Sequence, residues 1–417
     1  MPENKALITD DVVVLGILAT LLALIFTTAS SQRPFWKKFY KYVPTLLLCY
    51  FIPGLLNSFG VISGDQSKLY GVVSDYLLPA SLVLFTLSLD IKEVWRLRKK
   101  AGIMFITAAV GVMIGGPLAL YLVSQFNPDV LGGEGAAATW RGMATVAGSW
   151  IGGGANQAAL YAVFKPTPEL FSATIAVDVL VANLWMAILL LGAGMASRLD
   201  RYLKADTTAL ESLKTKMENF RLSSQRIPSF TDTITIVGIG LGVTGLSRWL
   251  AGIIAPYIAR TAPHLEKFSL TSSFLWTVVL ASAFGIALSF TRARKLEGAG
   301  ASQIGSVFLY LLIATIGMKM NVGAVFIQPA LFLVGLIWIS FHALLLIIVG
   351  KLTRTPFFFL AVNSQACVGG AASAPIVASA FHTSLAPVGV LLAICGYAVG
   401  TYGGYLCALM MQWVSGL

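Results

Sequence analysis

Charge is what this sequence has least of. Only 11% of its 417 residues are Asp, Glu, Lys or Arg, whereas 57% are hydrophobic. A soluble domain carries roughly 25% charged residues, and so few charges cannot cover the surface of a water-soluble globule of this length. Soluble, disordered and collagen-like classes are therefore excluded. The composition predicts an integral membrane protein.

Cysteine and histidine are scarce as well. The four cysteines lie in apolar stretches without a CxxC pair, and the three histidines are far apart in sequence. This pattern argues against a disulfide scaffold and a structural zinc site. No helix carries a paired-carboxylate or Ser-His arrangement, and no phosphate loop is present, so we expect neither an enzyme nor an organic cofactor. A sodium ion is the one bound species that we consider.

Long apolar runs are abundant. Two of them, near 140–164 and 357–381, are interrupted by glycine and small polar residues. The runs are long and lack the two-residue alternation of barrel strands, so they predict membrane-spanning helices. Ten uninterrupted runs lie near 12–29, 43–63, 70–90, 102–125, 171–197, 232–257, 269–291, 303–321, 328–350 and 385–414.

The net charge of +11 is gathered in loops rather than spread along the chain. Cytoplasmic loops of membrane proteins are enriched in Lys and Arg, so this excess indicates topology and not a nucleic-acid partner. The basic loops share one side if segment 140–164 enters and leaves on the same face. The same interpretation of 357–381 changes only the side of the C-terminus. We therefore expect ten spans, two re-entrant hairpins and both termini outside. The cytoplasmic loops would be 31–42, 91–101, 198–231, 292–302 and 351–356.

The two interrupted segments resemble each other. Residues 151–158 read I-G-G-G-A-N-Q-A and residues 368–375 read V-G-G-A-A-S-A-P, at an offset of 217. A weaker echo, at another offset, joins 84–94 to 313–323. Each half then holds five spans and one hairpin, and an odd number of spans inverts the second half relative to the first.

The fold class predicted is thus an all-α polytopic membrane protein. It has two inverted repeats of five transmembrane helices, each with a Gly-rich re-entrant hairpin or broken helix. Leu210, Leu213, Met217 and Phe220 share one face of a helix in the linker, which we expect to lie on the inner leaflet. The predicted parts are an N-terminal repeat 1–197 with hairpin 140–164, a cytoplasmic basic amphipathic linker 198–231, and a C-terminal repeat 232–417 with hairpin 357–381.

Inverted repeats with interrupted segments at matching places are typical of secondary transporters, whose site lies between the repeats. Glycine lets the backbone turn there and lets a ligand approach closely, although glycine-mediated helix packing is the alternative. Asn156 is the first choice for a ligand, whereas Ser364 and Gln365 could instead cap a half-helix. The predicted substrate-binding residues are Ser149, Gly152, Gly153, Gly154, Asn156 and Gln157, with Ser364, Gln365, Gly369, Gly370 and Ser373.

Asp178 stands inside the helix that follows the first hairpin. An ionisable residue within a span is costly and indicates function. With Asn183 and Asn156 it is predicted to bind a coupling sodium ion, or to exchange a proton. The alternative is a structural ion pair with Arg248 or Arg141.

The motifs A-T-V-A-G-S-W-I-G-G-G-A-N-Q-A-A-L and N-S-Q-A-C-V-G-G-A-A-S-A-P-I-V resemble those of the domain-of-unknown-function 819 family. That family is grouped with the cation:proton antiporter and anion transporter superfamily, which includes glutamate:sodium symporters. The resemblance implies an elevator-type carrier that forms a homodimer in a bacterial inner (cell) membrane. Ala371 and Ala372 depart from the paired glycine signature, so the carboxylate ligands of those relatives cannot be matched here residue by residue.

These observations predict a secondary active transporter of a small organic anion or amino-acid-like solute, coupled to sodium or protons. The alternatives are a cation:proton antiporter that uses Asp178, and a channel or sensor without coupled transport. The expected partners are a small-molecule solute, the lipid bilayer and a second copy of the chain.

Overall fold

The computed structural model describes residues 6–43, 45–64, 66–87, 96–263, 265, 270–320 and 328–416. Nearly all of this part is α-helical, and it contains no β-strand. The helices are α1 Asp11–Ala29, α2 Pro34–Tyr42, α3 Thr45–Ser58, α4 Leu69–Thr86, α5 Arg98–Ser124, α6 Thr139–Gly152, α7 Gly154–Phe164, α8 Pro168–Gly194, α9 Ala196–Leu203, α10 Thr208–Ser224, α11 Phe230–Thr261, α12 Ser273–Ser289, α13 Ala301–Gly317, α14 Pro329–Leu352, α15 Phe357–Val368, α16 Gly370–Phe381 and α17 Ala386–Val414.

Local sequence signals explain where the long helices begin. Thr167 accepts a hydrogen bond from the Leu170 amide at 3.3 Å, and Pro168 occupies the first position of α8. Ser229 and Asp232 form a reciprocal capping box at the start of α11. Each cap satisfies amides that have no partner within the helix.

Six helices of the described part are long and apolar enough to cross a membrane, namely α1, α4, α5, α8, α11 and α14. The number rises to nine if each of three bent helix pairs counts as one span. The chain is therefore a membrane protein, but the ten predicted spans are not all confirmed. Helix α13 has 17 residues, the lower end of the length that a span requires.

The long helices pack in two groups. In one group, α4 contacts α11, α12 and α13, and α3 contacts α1 and α13. In the other, α5 packs along α14, while α6, α15 and α16 all contact α17. The inverted arrangement of the two halves stays a prediction, and the echo between 84–94 and 313–323 falls partly outside the described residues.

The linker helix α10 packs on the protein rather than only on lipid. Leu210 and Leu213 are buried in the main hydrophobic core, at 3% and 0% exposure. Phe220 lies under the Arg294 guanidinium, 4.1 Å from the ring centre. The side chain of Met217 lies outside the described part. An amphipathic pattern fixes which face is apolar, but the tertiary packing decides what covers it.

The two ends of the linker are held by different helix groups. Near its start, Lys100 at the beginning of α5 forms an ion pair of 2.9 Å with Asp206. Near its end, the Arg226 amide donates to the Gly298 carbonyl at 2.9 Å, in the turn that follows α12. The linker therefore bridges the two groups.

Candidate functional site

Helices α6 and α7 form a hairpin that turns at Gly153. This residue has φ +80°, in the region that favours glycine because it has no Cβ. At the far end of the two arms, the rings of Trp140 and Phe164 lie 5.4 Å apart, and Arg141 Nη1 donates to the Phe164 carbonyl at 2.7 Å. The arms thus lie side by side, and the chain enters and leaves this segment at the same end.

Helices α15 and α16 form a second hairpin, which turns at Gly369 and Gly370. Gly370 has φ +63°, and the rings of Phe357 and Phe381 at the open end are 6.0 Å apart. Gly370 follows Gly153 by the same 217 residues that relate the two sequence motifs. The backbone turns of both hairpins therefore fall at matching glycines.

Asp178 of α8 is buried, with 7% exposure, and its carboxylate is held by the first hairpin. It accepts from Trp150 Nε1 at 2.7 Å and from Gln157 Nε2 at 3.0 Å, and the Ser149 side chain also bonds to it. All three partners flank the turn at Gly153. A carboxylate held by neutral donors is able to take up a cation or a proton.

The two arginines considered as partners of Asp178 are engaged elsewhere. Arg141 bonds to the hairpin backbone, as described above, and Arg248 lies 3.8 Å from the Asp75 carboxylate. Among the described residues, no cation lies within ion-pairing distance of Asp178. Its charge therefore has hydrogen bonds but no structural counterion in this part of the chain.

Asn156 fastens the turn of the first hairpin to α17. Its Nδ2 donates to the Gly152 carbonyl at 2.6 Å, and its Oδ1 accepts from Thr401 Oγ1 at 2.5 Å. Asn183 is half-buried on α8, five residues after Asp178. At 3.6 residues per turn it projects about 140° around the helix from Asp178. The two residues therefore point in different directions.

The predicted residues of the second hairpin form two separate contacts. Gln365 Nε2 donates to Ser373 Oγ at 2.9 Å across the turn. Ser364 Oγ instead accepts from Trp185 Nε1 of α8 at 2.7 Å and lies 2.7 Å from His342 Nε2 of α14. Ser364 thus links the hairpin to its neighbours. The sequence shows no helix that carries both a serine and a histidine in a catalytic arrangement. In the structure this serine and histidine come from two different helices, α15 and α14.

Two buried oxygens of this hairpin lack a partner among the described residues, Gln365 Oε1 and Asn363 Oδ1. Such acceptors are costly to bury without a donor. They mark this hairpin as a place where a ligand with a positive charge or a hydrogen-bond donor is favoured.

Sequence reasoning missed three glycines on α17. A Cβ at Gly400 would lie 2.6 Å from the Gly152 Cα, and one at Gly404 would lie 3.0 Å from the Gly148 amide nitrogen. A Cβ at Gly152 would lie 2.7 Å from the Gly396 carbonyl oxygen. Backbone therefore packs directly on backbone. The signal was available, because a spacing of four residues between small residues is typical of close helix contacts in membranes.

Helix α17 also bends where it meets the first hairpin. Its parts Ala386–Gly396 and Val399–Val414 differ in direction by 53°. A Cβ at Gly396 would lie 2.7 Å from the Ile151 carbonyl oxygen and 3.4 Å from that of Ala366. Since Ile151 and Ala366 belong to different hairpins, the bend is the place where both approach each other.

The described residues contain no group of three or more His, Cys, Asp or Glu side chains that could hold a metal ion. Hard cations prefer oxygen ligands. The Asp178 carboxylate and the Ser149 hydroxyl offer oxygens of that kind, whereas Gln157 turns its Nε2 toward Asp178. This set fits a sodium ion better than a transition metal.

Comparison with known proteins identifies a family and a relative of this chain. The family described as Protein of unknown function (DUF819) matches residues 16–414. The Uncharacterized membrane protein YjcL of Bacillus subtilis (strain 168) is 24% identical over 363 residues, which cover 84% of this chain and 85% of that protein.

Proposed function

This chain belongs to the DUF819 family, and from that membership and the site geometry we propose that it is a secondary active transporter. Its substrate would be a small organic anion or an amino-acid-like solute, coupled to sodium or protons. The observation that carries the proposal is the contact between the buried Asp178 and both arms of the first hairpin.

Through that contact, an ion that binds at Asp178 alters the hydrogen bonds between Asp178 and the hairpin. The Asp178 carboxylate now accepts hydrogen bonds from Trp150 and Gln157. A proton on it converts one acceptor oxygen into a donor, and a sodium ion competes for the same lone pairs. Either event changes the free energy of the hairpin position. A transporter needs this differential interaction to couple an ion to a conformational change.

The hairpin turns favour an anionic solute. Helices α7 and α16 each begin at a turn, at Gly154 and Gly370. The first amides of a helix have no partner within it and carry partial positive charge, which suits a carboxylate. Two half-helix N-termini near the bend of α17 support a solute with an acidic group, and Gln365 Oε1, which lacks a partner among the described residues, suits an amine on the same molecule.

An elevator mechanism is the form of transport that we infer. Both hairpins belong to the helix group of α5, α8, α14 and α17, whereas α1, α3, α4, α11, α12 and α13 make up the other group. Both halves of the chain contribute to this second group, since α4 of the first half contacts α12 of the second half, and α13 of the second half contacts α3 of the first. This arrangement supports a hairpin group that moves against a scaffold, and we expect the scaffold to form the homodimer.

The first experiment is a melting screen of the purified protein against amino acids and di- and tricarboxylates, with and without sodium. A bound solute stabilises the folded state by mass action, so a hit raises the melting temperature. Hits are then tested for saturable uptake into proteoliposomes under an imposed sodium or pH gradient. Uptake that is unsaturable and independent of both gradients would instead indicate a channel.

The matched variants are Asp178→Asn and Asp129→Asn. The first removes the buried charge but keeps the shape, and the second changes an exposed aspartate in the turn after α5. We expect Asp178→Asn to abolish the dependence of uptake on the coupling ion and Asp129→Asn to preserve it. If Asp178→Asn keeps the same sodium and pH dependence, the assignment of Asp178 to coupling is wrong.

A cation:proton antiporter is the second candidate. It is favoured by the lack of an ion-pair partner for Asp178 among the described residues, because a proton is then the simplest neutralising group. Proton release from vesicles on addition of sodium or potassium, without any solute, would favour this candidate over the symporter.

A further inference from the structure

An apolar groove runs along the outside of the hairpin group, away from the candidate site. It has a cavity volume of about 370 Å³ and lies between α8, α14 and α15. Ile188, Met195 and Ile347 line it and are 54%, 47% and 41% exposed, so the groove is open along its length. An occupant therefore enters sideways, from the hydrophobic phase that surrounds the helices.

One end of this groove is basic. Arg198 and Tyr202 lie on α9, which directly follows α8, and Lys351 lies at the end of α14. Lys351 Nζ is 4.4 Å from the centre of the Tyr202 ring, so α14 and α9 bring their polar groups together. Leu199, between Arg198 and Tyr202, lines the groove itself.

Neither Arg198 nor Lys351 forms an ion pair among the described residues, and both residues are exposed. The nearest acidic residue in sequence, Asp200, instead accepts a hydrogen bond from the Phe357 amide at 2.7 Å. The groove thus joins an apolar channel to two positive charges that no carboxylate neutralises in the described part of the chain.

We propose that this groove binds an anionic phospholipid, with one acyl chain along the groove and the phosphate on Arg198 and Lys351. Arginine and lysine are the usual phosphate ligands, and basic pockets between helix ends bind anionic headgroups. From Trp185 to Met195 the groove extends about 15 Å at 1.5 Å per residue. This is about half of the ~30 Å hydrocarbon core, so the chain reaches the middle of one leaflet.

The lipid would touch the second hairpin. Phe357 and Leu360 of its first arm form one wall of the groove, and Trp185, which donates to Ser364 of that hairpin, lines the deep end. A chain in the groove fills the space between α8 and this arm. The proposal does not depend on transport, because binding is measured on the protein alone.

The test measures lipid binding by native mass spectrometry of the delipidated full-length protein. Phosphatidylglycerol and phosphatidylcholine with identical acyl chains are added in parallel. We expect phosphatidylglycerol to bind more tightly. The double variant Arg198→Gln/Lys351→Gln should weaken it about 25-fold, about five-fold per basic residue, and leave phosphatidylcholine unchanged. The control Arg201→Gln/Lys204→Gln removes the same charge nearby and should keep the preference.

A second pair of variants tests the groove itself. Ile347→Trp fills it, whereas Leu344→Trp places the same side chain on the same helix, at a residue that is 55% exposed and outside the groove. We expect only Ile347→Trp to reduce the binding of both lipids. If Ile347→Trp does not yield folded protein, Ala343→Leu fills the same groove with a smaller side chain.

Three results would overturn the proposal. One is equal binding of the two lipids to the unmodified protein. Another is an equal loss of preference in the Arg201/Lys204 control, which would indicate general surface charge. The third is unchanged phosphatidylglycerol binding after the groove is filled.

Discussion

The close contact between α17 and the first hairpin can be tested with a single methyl group. Gly400→Ala places a Cβ 2.6 Å from the Gly152 Cα and 2.8 Å from the Asn156 Cγ. Carbon atoms prefer separations of about 3.5–4.0 Å, so the hairpin turn must retreat by roughly 1 Å. Since the turn is held by the Asn156–Thr401 hydrogen bond, this retreat also disturbs that bond.

The magnitude follows from two opposing effects. Forcing an extra methyl into a packed interior costs about 1–3 kcal/mol. Alanine in a helix is better than glycine by about 1 kcal/mol, which offsets part of that cost. A matched control isolates the packing effect, because Gly242→Ala in α11 adds a Cβ with nothing within 4 Å. The two variants gain helix propensity equally, so their stabilities should differ by about 1–3 kcal/mol.

The assay compares thermal melting of the two variants in the same detergent, together with uptake of any solute found in the melting screen. We expect Gly242→Ala to melt at or above the unmodified protein and Gly400→Ala to melt below Gly242→Ala. Uptake should fall only for Gly400→Ala. If Gly400→Ala melts together with Gly242→Ala, the backbone contact described here is not tight in solution.

Two further changes probe the second hairpin and the linker. Ser373→Ala removes the acceptor of Gln365 Nε2 and should lower the stability of the folded protein by about 1–3 kcal/mol, the cost of a buried unpaired amide. The control Ser379→Ala loses a hydrogen bond within its own helix and should melt at a higher temperature than Ser373→Ala. At the linker, the Lys100 ammonium holds the pKa of the Asp206 carboxyl at about 2. The ionised carboxylate therefore stabilises the folded state above pH 4. The difference in melting temperature between the unmodified protein and Asp206→Asn should be constant from pH 5 to 8. It should shrink as the pH falls below 4, because the carboxylate is then protonated.

Local features of the site were predictable from sequence. The turns at Gly153 and Gly370 need a backbone conformation that glycine adopts, and a pair of glycine-rich motifs at a constant offset is visible without a structure. Asp178 stands out because an acidic residue is rare in an apolar run. Each of these inferences uses residues that are close together in the chain.

Partners from distant parts of the chain were not predictable. Trp150 and Gln157 reach Asp178 only because α8 returns along the hairpin, and nothing in the sequence around Ser364 points to His342. The ten predicted spans are not all confirmed, since the described residues contain six to nine candidate spans. Hydropathy measures how apolar a segment is, but it does not reveal a bend that divides an apolar segment into two helices.

The glycines that join α17 to the first hairpin leave a contact made of main chain. Main chain has no rotamers, so the spacing between the hairpin turn and α17 at these glycines cannot be changed by a rearrangement of side chains. The bond between Asn156 and Thr401 and the stacked rings of Phe164 and Tyr405, 5.4 Å apart, cross the same contact and fix its register. The first hairpin and α17 are therefore joined as one rigid unit, and a displacement of one carries the other with it.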